Sequence, residues 1–173
     1  MTTPKALDRI VRRLGEPTVP PLPVDWEIVE ATLGTALPSD YKEYCARYPA
    51  AVFDENLRVD HPTCSDDFYN LLSGAVGRTA AVRQLTAEFP VLYEYPVYPD
   101  PGGLLCWGNT TGRVQCYWLT EGPPDSWKVV IDEEIPVVFD GNFTETLADI
   151  LDGNLPEEIE PLHCPLDRLY YIQ

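Results

Sequence analysis

The feature that most constrains this chain is a run of β-forming residues between 104 and 132. Segments 104–108, 114–119 and 127–131 are aromatic and β-branched and are separated by turn residues. Asn109-Thr110-Thr111-Gly112 reads as the hairpin loop joining the first two segments. The spacing predicts Leu104 opposite Trp118 and Cys106 opposite Cys116 on one face. On the other face it predicts Leu105 opposite Tyr117 and Trp107 opposite Gln115. Both faces are mostly apolar, so the sheet needs cover on both sides. A looser turn at 121–126, with Pro123-Pro124, leads to the third segment, and 135–139 offers one more strand.

Helical patterns surround this region. Residues 3–15 carry Ala6, Leu7, Ile10, Val11 and Leu14 on one stripe, with Thr3 and Pro4 at the start and Gly15 at the stop. The connector 16–24 holds four prolines and is extended. A second helix spans 24–33, capped by Asp25 and stopped by Gly34, with Trp26, Val29 and Leu33 inward. A third starts near Pro38-Ser39 and buries Tyr41, Tyr44, Cys45 and Tyr48. Residues 50–60 read as short β structure. Residues 65–89 read as helical in two pieces: a short helix capped by Ser65 with Phe68, Tyr69, Leu71 and Leu72 inside, then a stretch burying Ala81, Val82, Leu85 and Phe89. The last clear helix, 143–151, begins with an Asn142–Glu145 capping box and ends before Gly153. The tail, 155–173, wraps the surface, anchored by Leu166, Leu169, Tyr170 and Ile172.

These patterns place helices around a central β region, in one domain over 1–173. Residues 1–23 are the N-terminal helix and proline-rich connector, and 155–173 the tail.

Charge narrows the function classes. The 173 residues include 28 Asp and Glu against 12 Lys and Arg, a net charge of −16. Such a surface repels nucleic acid and anionic membranes. No 18-residue apolar run exists, and the first 16 residues lack an apolar leader core. With five cysteines in no repeated spacing, the expectation is reduced thiols in the cytoplasm.

Catalytic signatures are sparse. There is no G-x-S-x-G elbow, phosphate loop or dinucleotide fingerprint, and no cofactor is expected. His61 with Cys64, and His163 with Cys164, are the only histidine–cysteine pairs, and they match no common zinc module. Trp26, Trp107, Trp118 and Trp127 fit core packing. The acidic clusters are Asp54-Glu55, Asp66-Asp67, Asp132-Glu133-Glu134 and Glu157-Glu158 with Glu160. They read either as a solvated face or as a patch that selects a basic partner. Calcium-loop spacing is absent, and a glycosidase-type carboxylate pair remains an open alternative.

The segment Trp26-Glu27-Ile28-Val29-Glu30, then Leu33-Gly34, then Leu37-Pro38-Ser39-Asp40-Tyr41-Lys42-Glu43-Tyr44 resembles the opening of the SUKH superfamily. Leu104 through Asn109, Gly112 through Tyr117, Trp127 through Asp132 and the helix at 143–151 are similar to later elements of that family, in the same order. The chain departs from the family in the helical insertion, in both terminal extensions and in Ala50-Ala51, where a glycine pair is usual. The resemblance implies an α+β fold, a mixed or antiparallel sheet flanked by helices, with 24–154 as the core and 65–89 as a helical insertion; its motif positions are mostly structural, so no catalytic residue carries over. It implies an immunity protein that binds and neutralises a partner toxin, often a nuclease, or else a regulatory scaffold protein like the family's fungal members. The surface expected to meet a basic toxin is Asp54, Glu55, Asp66, Asp67, Asp132, Glu133 and Glu134. A hydrolase using carboxylate or Cys–His chemistry is the remaining alternative.

Overall fold

The computed structural model describes residues 5–90, 94–111, 114–132, 135–156, 159 and 169–172. Its strands are β1 (Ala51–Phe53), β2 (Leu57–Val59), β3 (Leu104–Thr110), β4 (Gln115–Leu119), β5 (Lys128–Asp132), β6 (Pro136–Phe139) and β7 (Leu169–Tyr171). They form one sheet in the order β6-β5-β4-β3-β2-β1-β7. Every pairing is antiparallel. The tail therefore ends as an edge strand on β1, where the sequence predicts only a surface wrap.

The helices are α1 (Ala6–Leu14), α2 (Trp26–Leu33), α3 (Ser39–Cys45), α4 (Leu71–Glu88) and α5 (Phe143–Asp152). Local chemistry sets their ends. The Asp25 carboxylate accepts from Ile28 N, and Gly34 closes α2 in the left-handed region. Asn142 and Glu145 form the expected capping box, and Gly153 closes α5. Thr3 and Pro4 lie outside the described residues, and Lys5 precedes α1 without capping it.

Strand alternation sends Phe53, Leu57, Leu105, Trp107, Cys116, Trp118, Val129 and Ile131 to one face of the sheet, where α1, α2, α3 and α5 bury them. The centre of this core is aromatic. Phe143 meets Trp107 at 5.0 Å and Tyr41 at 5.1 Å, and Tyr41 meets Trp118 at 4.9 Å, all edge to face. Polar ties lock the layer. Asp40 Oδ2 accepts from Thr144 N at 2.7 Å, joining α3 to α5. Arg9, from the basic helix α1, binds Asp149 at 2.7 Å and Asp152 at 2.8 Å at the end of α5.

The predicted hairpin register is wrong. Leu105 faces Trp118 and Cys106 faces Tyr117, and after a bulge Gly108 faces Cys116 and Asn109 faces Gln115. Cys106 and Cys116 thus lie on opposite faces. The miss begins at the loop: Thr110 N donates to the Val114 carbonyl, so Asn109 meets Gln115 rather than Arg113. The bulge between Cys106 and Gly108 then shifts the register by one residue, where β2 lies so close that a Cβ at Gly108 would stand 2.3 Å from the Arg58 carbonyl oxygen.

Residues 65–89 also depart from expectation. The cap of α4 is Asn70 rather than Ser65, its side chain accepting from Leu72 N and Ser73 N. One continuous 18-residue helix follows, through Gly74 and Gly77. Leu71 and Ala75 are buried, but Phe68, Leu85 and Phe89 are exposed, and so is Ala81. The second half of α4 is therefore an uncovered face rather than core.

Candidate functional site

The sheet register gathers acidic residues that are distant in sequence. Asp54 and Glu55 form the β1–β2 turn, where Asn56 N donates to the Phe53 carbonyl. Both adopt left-handed backbone, with φ of 48° and 58°. Thr111, beyond β3, touches this turn through its backbone N and its Oγ1, both bonded to Asn56. Leu57 pairs with Thr110, and Gln115 pairs with Asp132, so the turn, the β3–β4 connection and the end of β5 share one end of the sheet. Asp132 is half-buried, and burial raises its pKa. Glu133, Glu134, Glu157, Glu158 and Glu160 lie outside the described residues.

Asp66 and Asp67 precede α4 and are exposed. The Asp66 carboxylate accepts from Phe68 N at 2.9 Å, and that of Asp67 accepts from Ser73 Oγ at 3.1 Å. They share with Asp132 an open groove of about 1030 Å³ between α4 and the second face of the sheet. One wall is Ala81, Val82 and Leu85; the floor includes Tyr117 and Gln115. Three of the predicted acidic positions thus line one groove, and Asp54 and Glu55 stand at the same end of the sheet.

Sequence reasoning missed the arginines here. Arg58 lines the groove, stacks on Phe68 at 4.9 Å and Tyr69 at 5.8 Å, and donates to Asn109 Oδ1 at 3.2 Å. Arg78 reaches from α4 to an ion pair with Asp60, which is fully buried. Burial, partly offset by Arg78 and then Arg58, pushes the Asp60 carboxyl up to about 7. Asp60 Oδ1 has no hydrogen-bond partner among the described residues. Only its position, two residues beyond Arg58 on an alternating strand, hinted that Asp60 points inward with it.

Of the two histidine–cysteine pairs, His61 and Cys64 are the described one. His61 is buried, with Nε2 against the Cys45 carbonyl at 3.2 Å and Nδ1 accepting from Thr63 N at 3.2 Å. That backbone donor assigns the proton to Nε2. Both ring nitrogens are engaged, and burial lowers the pKa, keeping the ring neutral. Cys45, Cys64, Cys106 and Cys116 are free and buried, and burial raises every one of these thiols, Cys106 to about 11. Among the described residues no three His, Cys, Asp or Glu side chains converge as metal ligands. His163 and Cys164 lie outside them. Trp107, Trp118 and Trp127 are buried and Trp26 is half-buried, as core packing predicts.

No described helix is long and apolar enough to cross a membrane. Compared with protein-family profiles, curated proteins and solved structures, the chain finds no match.

Proposed function

We propose that this protein is a non-enzymatic binding module of the SUKH type, an immunity protein that neutralises a partner toxin in the cytoplasm. The observation that carries the reading is convergence. Carboxylates from three separate stretches of chain share one end of the sheet and the groove beside it. On a chain of net charge −16, that end presents a concentrated negative field to a basic surface. A nuclease toxin has such a surface where it holds the phosphate backbone, and an acidic protein covering it blocks the substrate. Engaged histidine and raised thiols fit a binding role better than Cys–His hydrolysis.

The test is capture by the tagged protein from its own cells' lysate and secreted fraction, at low and high salt. One basic, toxin-like polypeptide is expected, released by salt and lost when Glu55→Lys and Asp67→Lys are combined. A complex indifferent to salt and to both reversals overturns the electrostatic account. Recovery of housekeeping proteins instead favours the regulatory scaffold role.

A further inference from the structure

The groove beside α4 is held open by a residue that packing does not require. Gly77 lies inside an 18-residue helix, and a Cβ built there meets nothing within 4 Å. Glycine inside a helix costs about 0.5–1 kcal/mol relative to alanine. No turn and no close neighbour asks for it. Gly74, one turn earlier, differs, because the Arg78 guanidinium fills its space. What Gly77 does is bare the helix backbone to the groove. Beyond it the wall rises through Ala81 to Leu85, 42% exposed, with Phe68, 52% exposed, also lining the trough. Large apolar side chains left this open mark contact surfaces when they share one trough.

The charges select the occupant. Among the described residues five charged side chains line the groove, Arg58 and Arg78 against Asp66, Asp67 and Asp132. Arg78 is already paired with Asp60 beneath it. The net field at the mouth is negative, on a strongly negative protein. We infer that this groove seats a protein segment whose apolar ridge lies against Gly77, Ala81 and Leu85 and whose flanking Lys or Arg side chains reach Asp66, Asp67 and Asp132. This rests on the partner-binding reading and assigns its contact. A second copy of the chain does not fit, since it would bring another −16 against the same acidic mouth. The trough is open and as large as the biggest small-molecule sites, which suits a ridge of side chains better than an enclosed ligand.

The test is selection of a random 16-residue peptide library against the full-length protein, with parallel selections against Gly77→Trp and Leu85→Lys. The expected winners carry two or three large apolar residues flanked by Lys or Arg. Their binding falls at least tenfold in both variants. Leu85 is exposed, so Leu85→Lys folds and decides the matter even if the tryptophan disturbs α4. Winners that bind all three proteins equally, winners rich in Asp and Glu, or no enrichment over an unrelated acidic protein overturn the proposal. So does a concentration-dependent dimer in sedimentation that Leu85→Lys abolishes, because the occupant is then a second copy. The two readings fail separately. A captured toxin indifferent to Leu85→Lys removes the groove but leaves the binding module. Groove-specific basic peptides without any captured toxin leave the groove and remove the immunity role.

Discussion

The two faces of the sheet are built on different terms. One is covered by four helices and filled by interlocking rings, with Tyr41, Phe143, Trp107 and Trp118 fully or almost fully buried. The other holds a small cluster of Cys106, Tyr117, Leu119 and Val130, one buried ion pair and a helix whose second half stands over open space. The first face makes the fold; the second is where a partner finds apolar surface that folding left uncovered. A protein that needs both a stable core and a contact surface separates them by a single sheet.

Truncation should expose that division most strongly. Phe143→Ala removes the ring at the centre of the packed face and should cost about 3–5 kcal/mol. Leu85→Ala, on the open face, should stay within about 0.5 kcal/mol. Urea titration of both measures the contrast, and comparable losses would mean that the second face carries the fold as well.

The next contrast is in pH, and its sign needs care because two neighbours oppose each other. Asp60 has a folded pKa raised to about 7, so its contribution is complete below the unfolded value and is lost as pH rises through about 7. His61 is lowered by burial, so its contribution is present above its unfolded value and is lost as pH falls. Between the ordinary Asp value of 3.8 and the ordinary His value of 6.5 the two oppose each other. Asp60→Asn should leave stability rising with pH across that range, and His61→Gln should leave it falling. The Asp60 slope approaches about 1.4 kcal/mol per pH unit, and the His61 slope has the opposite sign. Denaturation midpoints across pH, read as slopes within each variant, test this. Parallel slopes in both variants would show that neither group titrates as placed.

What could be read in advance follows the range of the interactions. Helices α2, α3 and α5 announce themselves because stripe and cap lie within a few residues, as with Asp25 and the Asn142–Glu145 box. The register of β3 and β4 does not, because the loop closes at Thr110 and Val114, wider than the turn residues suggest, and a bulge at Gly108 lies where a strand some fifty residues earlier comes close. Strand β7 is three residues long and pairs with β1 across about two thirds of the chain, so nothing local marks it. Helix α4 misleads for a related reason. Val82, Leu85 and Phe89 look like core, and only the assembled fold shows Val82 half-buried and Leu85 and Phe89 exposed. At the candidate site the carboxylates were legible as clusters. Their convergence was not, and neither were the roles of Arg58 and Arg78, which depend on partners brought close by folding.

Two tyrosines one turn apart in α3 sharpen the account of the packed face. The Tyr41 hydroxyl donates to the Asp60 carbonyl at 2.6 Å, linking that core to the buried ion pair behind it. Tyr44 Oη has no hydrogen-bond partner among the described residues. Tyr41→Phe should therefore cost about 1–2 kcal/mol, while Tyr44→Phe should be neutral or slightly stabilising. Thermal unfolding separates the two, and equal losses would give the Tyr44 hydroxyl a partner after all.

The smallest expected effect discriminates best between the faces. Gly77→Ala adds one methyl group where nothing stands within 4 Å, in a helix that gains from alanine. It should stabilise the protein by about 0.5–1 kcal/mol, a shift of roughly 1–4 °C in Tm for a chain of this size. If α4 served only to cover the sheet, that gain would carry no penalty. If the groove seats a partner segment against the bare backbone, the same methyl group should weaken binding severalfold while Tm rises. Calorimetry and a peptide titration on the one variant decide it. Higher Tm with undiminished binding would return Gly77 to an ordinary, uncorrected weakness in the helix, whereas opposite signs in the two measurements would tie the residue to the contact it leaves room for.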